Sequence, residues 1–380
     1  MDIPMDSSQT TLKKEMFPEQ AQKDTHPARP PFGSIINCTV HKHQGDREHM
    51  EDKTKVVFDW NAPHDELDDK YDNCNFAWAF FGLFDGHGGR QAASYARKYL
   101  MHHIVSHPHF DSDEDDLVLQ AITEGFVSLH NEMAEKRKDW PKSLTGHPSV
   151  CGTTASVVFI KNGKVFIGHV GDSAIVLGYQ DPTNNSQFWS GKQLTVDHKP
   201  DSPVELKRIE NCGGKVVRTK NVSRVVWYKP KSLKSKKNGM DCRHVEQVPF
   251  LNMARSLGDF WSYNPDKEEY AVSPVPDTMA ITLDPDVHRC LILGSDGLWN
   301  VMAVQNAVNV VYSSEMNNSR RRKAAEMLGK VEKASASDTP TRIMMKLIDP
   351  AARLVRRAVD EWAFKKARAD NVSAIVILFR

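Results

Sequence analysis

Five short segments of this 380-residue chain put an acid at the end of an apolar run: Glu51-Asp52, Asp85-Gly86, Gly171-Asp172, Asp296-Gly297 and Asp370-Asn371. Three of them carry a glycine beside the acid, which lets a backbone pack close to a ligand. If these acids converge, they cannot do so unaided. Two like charges about 4 Å apart cost roughly 4 kcal/mol at an effective dielectric near 20. Several such pairs approach the whole stability of a domain, about 5–15 kcal/mol. Bound cations remove that cost, and carboxylates without paired His or Cys select hard divalent ions, Mg²⁺ or Mn²⁺ rather than Zn²⁺. Two such ions sharing a carboxylate can activate a water against a phosphoester. Arg47, four residues before Glu51, is of the type that clamps phosphate oxygens. His87, two residues after Asp85, could protonate a leaving oxygen. Each residue also has a plainer explanation: a lone Arg or His is commonly a surface group, and Asp172 can simply close a hairpin turn. Asp259 in RSLGD and Asp197 in DHKP read as turn or capping residues.

The elements that must position these acids are legible. FAWAFFGLF (76–84) is an apolar, aromatic run that reads as a buried strand, and Arg90–Leu100 has helical spacing of Ala92, Ala93, Ala96, Tyr99 and Leu100. Asp85, Gly86, His87, Gly88 and Gly89 therefore sit at a strand-to-helix turn. SIINCTVHKH and KTKVVFDW read as strands on either side of the turn QGDREHMED. A helix is expected from about Leu117 to Lys138, with an apolar stripe of Leu119, Ile122, Phe126 and Leu129. Two apolar runs joined at Asn162-Gly163 are a hairpin signal, and a second tight turn falls at Gly171-Asp172. SPVELKRIENCGG reads as a helix stopped at Gly213, RVVWYKP as a short strand, and Lys229–Cys242 as an exposed, lysine-rich flap. Val287–Leu293 and NVSAIVILFR are further strands, with helices filling much of Val301–Lys366. Residues 1 to about 33 are polar and without periodicity, which predicts a flexible tail. Hairpins and paired helices, without a regular βαβ alternation, predict an α+β layered fold with antiparallel sheets.

Composition bounds the function. Hydrophobic residues make up 40% and charged residues 26%, which fits a globular domain. A net charge of +1 gives no global drive toward nucleic acid or an acidic membrane. The six cysteines (Cys38, Cys74, Cys151, Cys212, Cys242, Cys290) contain no CxxC pair, which argues against a zinc site and a disulfide framework and predicts a reducing compartment. The start MDIPMDSSQT lacks the pattern of a signal peptide, and no apolar run reaches 18 residues, so neither secretion nor a membrane span is expected.

The ordered set RxxxED (Arg47, Glu51, Asp52), DGHGG (85–89), GTTA (152–155), GDS (171–173), DHKP (197–200), RSLGD (255–259), SDGLWN (295–300) and DN (370–371) resembles the metal-dependent serine/threonine protein phosphatases of type 2C. The likeness covers nearly everything from Ser34 onward. It implies a four-layer αββα sandwich, two mainly antiparallel sheets flanked by helix pairs, over residues 34–380. It also implies two Mn²⁺ or Mg²⁺ ions: Asp85 bridging both, Asp296 and Asp370 on one, Glu51 and the Gly86 carbonyl on the other. Arg47 would hold the substrate phosphate and His87 would be the general acid. Asp52 and Asn371 would support the ligands, and Asp172 matches a position tied to a weaker third ion. Three positions depart from the family's common pattern: Asn300 where an acid is frequent, Ala174 where GDS is often followed by arginine, and Asp46 where an aromatic often precedes the phosphate arginine.

Within that family WPKSLTGHPS (140–149), RVVWYKP (224–230), PFLNMARSLGDFWSYN (249–264) and LGSDGLWNV (293–301) resemble the delta-type, genotoxic-stress-induced branch. In that branch a basic loop lies near the active site, which makes Lys229, Lys231 and Lys234 candidates for binding acidic or doubly phosphorylated peptides. The resemblance implies a monomer in the nucleus or cytoplasm acting on phosphoserine and phosphothreonine in proteins, checkpoint and stress-signalling proteins among them. Two alternatives belong to other classes. One is a catalytically dead phosphopeptide-binding scaffold of the same fold, for which core acids would be lost, whereas Asp85, Asp296 and Asp370 are present. The other is a metal-dependent nuclease or phosphodiesterase, which calls for a basic nucleic-acid face.

Overall fold

The computed structural model describes residues 36–59, 77–142, 149–181, 183, 187–230, 245–334 and 347–379. All belong to one compact unit, Pro31–Arg380. The expected tail (1–33), most of the lysine-rich flap and the loop Asn61–Asn75 lie outside the described residues.

In chain order, β1 (Ile36–His43) and β2 (Lys53–Asp59) flank the first acidic turn. β3 (Trp78–Phe84) runs into Asp85, the two-residue β4 (Gly86–His87), and the helices α1 (Gln91–Val105) and α2 (Asp115–Lys136). A second two-residue strand, β5 (Gly152–Thr153), precedes the hairpin of β6 (Ala155–Lys161) and β7 (Lys164–Val170). Its two-residue turn, Asn162-Gly163, has φ of +50° and +71°, the left-handed pair that Asn-Gly accepts. β8 (Ala174–Tyr179) and β9 (Ser190–Gln193) follow, then α3 (Pro203–Asn211) and the small sheet of β10 (Val216–Thr219), β11 (Val222–Pro230) and β12 (Val245–Leu251). β11 continues to Pro230 and pairs Lys229 with Glu246, so Lys229 belongs to a strand and the flap begins after it, because the ladder with β12 outruns the lysine-rich composition. The rest comprises β13 (Leu257–Gly258), β14 (Tyr263–Asn264), β15 (Glu269–Tyr270), β16 (Asp277–Thr282), β17 (His288–Gly294), α4 (Asp296–Trp299), α5 (Val304–Ala334), α6 (Pro350–Phe364) and β18 (Val372–Phe379).

Two antiparallel five-stranded sheets, ordered β16-β7-β6-β3-β2 and β1-β18-β17-β8-β9, form the middle layers. β3 shows why its sequence carries no alternation. Side chains alternate across a strand, but here both faces are covered: Phe80 and Phe84 pack under α1 and α2, while Ala79, Phe81 and Leu83 face the other sheet. β18 mirrors it, with Val372, Ala374, Val376 and Leu378 toward α5 and α6, and Ile375, Ile377 and Phe379 inward. The result is three stacked apolar cores in an αββα sandwich, the layered α+β fold with antiparallel sheets that the sequence predicts and the sandwich that the resemblance implies. A fourth, smaller core around Ile209, Val225, Leu251 and Val272 belongs to α3 and the small sheet.

Phe81 is fully buried between the two sheets, whereas Phe364 at the end of α6 is 84% exposed. Phe81→Ala is expected to cost about 3–5 kcal/mol of unfolding free energy and Phe364→Ala about 0–0.5 kcal/mol. Urea unfolding of both variants checks the layering; similar costs would contradict it.

Candidate active site

The acids arrive from both sheets at one end of the sandwich. Asp85 leaves β3 and Glu51-Asp52 precede β2; Asp296 follows β17 and Asp370 precedes β18; Asp172 lies on the crossing from β7 to β8. Arg47, Glu51, Asp85, Gly86, His87, Asp172, Asp296, Asp370 and Asn371 all line one cleft of about 550 Å³. Asp52 lies fully buried at the same end of the sandwich, with Oδ2 accepting from Ser373 Oγ at 2.7 Å. Of the expected lysines, Lys229 stands in β11, and Lys231 and Lys234 lie outside the described residues.

Backbone bonds hold each acid. Thr154 N donates to Asp85 O at 2.9 Å, Thr153 Oγ1 to the same oxygen at 3.1 Å, and Asp85 N to Thr154 Oγ1 at 3.1 Å. β5 pairs with β4 on one side and β13 on the other, so DGH, GT and LG form a small sheet of their own. Ser295 N donates to Ser373 O at 3.1 Å and Ser373 N to Ser295 Oγ at 3.0 Å, which locks the Asp296 turn to the start of β18. Asn371 stitches the first acidic turn: its Oδ1 accepts from Glu51 N at 2.7 Å, and its Nδ2 donates to Gln44 O at 2.7 Å. Asp46 takes part in the same stitch, its carboxylate accepting from Ala369 N at 2.8 Å, which gives this departure from the family pattern a structural use.

The electrostatics divide the acids into two groups. Asp370 has Arg47, Nη2 to Oδ2 at 2.5 Å, and Asp172 has Lys199, Nζ to Oδ2 at 2.5 Å. Among the described residues no ion pair reaches Asp85 or Asp296. Burial, then the charges of Asp52, Asp296, Asp172 and Asp370, hold Asp85 well above the usual carboxylate range. Burial and its acid neighbours push Asp296 up to about 7, and burial chiefly pushes Asp52 up to about 6. Among the described residues no three His, Cys, Asp or Glu side chains already form a closed metal-ligand set. The residues fit hard divalent ions all the same. The donors are carboxylates, the excess charge is negative, and buried Asp52 Oδ1 has no hydrogen-bond partner.

Four residues with a part in the site carried no isolated signal in the sequence. Arg224 and Arg368 also line the cleft, brought there by β11 and by the loop before β18. Lys199 pairs with Asp172 across 27 positions. Asp259, expected as a turn residue, is fully buried with Oδ2 at 2.7 Å from His87 Nε2. Burial works against a charged His87 ring, yet the charge and hydrogen bond of Asp259 outweigh it and the net shift is upward. Asn300 donates to Asp296 Oδ2 at 3.3 Å, so the position where an acid is frequent here supports a neighbour.

A sequence profile described as protein phosphatase 2C matches residues 36–341. A probable protein phosphatase 2C of Caenorhabditis elegans is 33% identical over 238 residues, covering 61% of this chain and 54% of the relative. Protein phosphatase 1L of Bos taurus is 31% identical over 280 residues, covering 72% of this chain and 63% of the relative. The chain thus spans about half to two thirds of the length of these curated relatives. The crystal structure of a serine-threonine phosphatase 2C from Toxoplasma gondii superimposes with a TM-score of 0.62 at 24% identity, over 92% of this chain and 97% of the other, which shows the shared fold.

The raised carboxylates generate a prediction about the metal-free protein. A group whose folded pKa lies above its unfolded one favours folding when protonated, and that stability is lost as pH rises toward about 7. In EDTA, Asp296→Asn is therefore expected to raise the melting temperature at pH 7.5, on the order of 1–3 kcal/mol of stability, and to gain little at pH 4.5. Thermal scans at the two pH values check this; no gain at pH 7.5 would mean that no repulsion is stored there.

Proposed function

The chain belongs to the protein phosphatase 2C family, and from that premise we propose that it hydrolyses phosphoserine and phosphothreonine in proteins with the help of two Mn²⁺ or Mg²⁺ ions. The observation that carries this reading is the half-buried pair Asp85 and Asp296, which no ion pair reaches among the described residues, lining a cleft that also presents Arg47. Asp85 would serve both ions, Asp296 and Asp370 one, and Glu51 with the Gly86 carbonyl the other. A third ion at Asp172 would have to displace the Lys199 ammonium. Once bound, the ions would supply charge neutralisation and an activated water.

The chain's own residues do the rest. Arg47 keeps donors beyond the one used on Asp370, and its side chain is 53% exposed, so it is available to a phosphate. His87 gives a proton to the departing serine or threonine oxygen as the phosphorus–oxygen bond breaks. The bond that forms is from water oxygen to phosphorus, so no phosphoenzyme arises. The likeness of segments 140–149, 224–230, 249–264 and 293–301 supports a delta-type specificity. Under it Lys229, Lys231 and Lys234 would favour acidic or doubly phosphorylated peptides from checkpoint and stress-signalling proteins, met by a monomer in the nucleus or cytoplasm. Among the described residues no helix is long and apolar enough to cross a membrane.

The test is hydrolysis of a phosphothreonine peptide with Mn²⁺, with Mg²⁺ and with EDTA. Release of phosphate should require metal and fall at least about 100-fold in Asp296→Ala. Binding of the peptide without turnover, in folded metal-loaded protein, would point to a scaffold instead. His87→Gln should lose about 10²–10⁴-fold on the peptide, and at least about tenfold less on an aryl phosphate, whose leaving group needs little protonation. Equal losses on the two substrates would remove His87 from the general-acid role.

A further inference from the structure

Asp259 is built into the protein in a way that a turn residue does not need. It adopts the left-handed conformation, φ 53° and ψ 38°, and its side chain is fully buried. The other described non-glycine residues with positive φ are all exposed. Such a conformation costs a non-glycine residue roughly 1–2 kcal/mol and persists where the surroundings over-determine it. Here three donors do so. His87 Nε2 lies 2.7 Å from Oδ2, Ser256 Oγ donates to the same oxygen at 2.5 Å, and Trp261 Nε1 donates to Oδ1 at 2.7 Å. Trp261 is itself packed on Trp227 and Phe250 of the small sheet.

The backbone around this contact has no slack. In the separate sheet of β13, β5 and β4, His87 is registered opposite Gly152, and Gly152 opposite Gly258, the residue before Asp259. A β-carbon at Gly152 would lie 2.5 Å from His87 Nε2 and 2.7 Å from Asp259 Cγ. Only glycine at 152 leaves the His87–Asp259 contact its room. On the other side of the ring, the buried Nδ1 has no hydrogen-bond partner among the described residues, while His87 as a residue lines the cleft.

We propose that Asp259 is the positioning residue for His87: it engages Nε2 and fixes the plane of the ring at the cleft, so that the imidazole is held ready to hand a proton to the leaving oxygen. This rests on the phosphatase reading. The step balances simply, since the imidazole gives up one proton as the phosphorus–oxygen bond breaks, and the departing alkoxide becomes the free hydroxyl. Ser256 and Trp261 hold the carboxylate so that it cannot swing away from the imidazole.

The experiment uses the full chain with saturating Mn²⁺ and two substrates, a phosphothreonine peptide and p-nitrophenyl phosphate. Wild type, His87→Gln, Asp259→Asn and the double variant are compared by kcat. Asp259→Asn is expected to lose at least about tenfold more on the peptide than on the aryl phosphate. The double variant should be no worse than His87→Gln, because residues acting through one proton transfer are not additive. Equal losses on both substrates, no loss, or additive losses would overturn the proposal. If Asp259→Asn does not fold, as read by melting temperature, Ser256→Ala keeps the carboxylate and removes one of its fasteners. A loss weighted toward the peptide supports the proposal, and an equal or absent loss overturns it. The two readings fail differently. If His87→Gln itself does not discriminate between substrates, the general-acid assignment falls and this inference with it. If His87→Gln discriminates and Asp259→Asn does not, only the role of Asp259 falls.

Discussion

Unbalanced negative charge at one end of two stacked sheets is the constraint to which the rest of the molecule answers. Asp370 and Asp172 have cationic partners in Arg47 and Lys199, while among the described residues no ion pair reaches the half-buried Asp85 and Asp296. Left to local preference, these carboxylates would move apart into solvent. They are prevented because each is attached to backbone that is fixed elsewhere: Asp85 by Thr153 and Thr154, Asp296 by the reciprocal bonds of Ser295 and Ser373, and the first acidic turn by Asn371. The carboxylates are thereby anchored to the sandwich, where β3, buried but for Trp78, and the fully buried β18 are held by apolar area on both faces.

The topology explains why the acids meet where they do. One sheet supplies Asp85 and the Glu51-Asp52 turn, the other supplies Asp296 and Asp370, and Asp172 sits on the connection that passes from one sheet to the other. A site at the meeting of two sheets needs no long mobile loop to bring its groups together. Registers set by the three apolar cores are enough, since a slip of one residue would turn every inward side chain outward.

Much of this was legible in the sequence because the signals are local. The apolar run before Asp85, the Asn162-Gly163 turn and the helical stripe of Ile122, Phe126 and Leu129 each declare their element within a few residues. The acids were legible as candidates because glycine and a strand end accompany them. What was not legible depends on separation along the chain. Asp259 lies 172 positions from His87, and its own neighbourhood, Gly258 and Phe260, reads as an ordinary turn. Lys199 sits in a polar segment whose partner is known only once β7 and β8 are placed. Arg224 reads as the first residue of a strand, and nothing in RVVWYKP says that its strand borders the cleft. The sequence alone leaves the strand RVVWYKP overlapping a flap that starts at Lys229, and only the long-range pairing of Lys229 with Glu246 gives Lys229 to the strand.

The small sheet is attached to the site by a different kind of force from the one that holds the sandwich. Its apolar core is separate from the three stacked ones. Its link to the acids runs through directional polar contacts. His198 N donates to Gly171 O at 2.9 Å and Gly171 N to His198 Nδ1 at 3.1 Å, beside the Lys199–Asp172 pair. His198 Nε2 then meets Asp277 Oδ2 at 3.1 Å, Arg255 bridges Asp277 and Glu205, and Arg208 ties Glu205 to the carbonyls of Ala254 and Ala271. The bond from His198, with the charge of Arg255, keeps Asp277 down at about 2. Apolar area fixes how tightly two elements pack but leaves them free to slide, whereas a chain of charge-assisted hydrogen bonds fixes their angle. The wall that carries Arg224, and the indole that steadies Asp259, are thereby set in orientation against the same turn that holds Asp172.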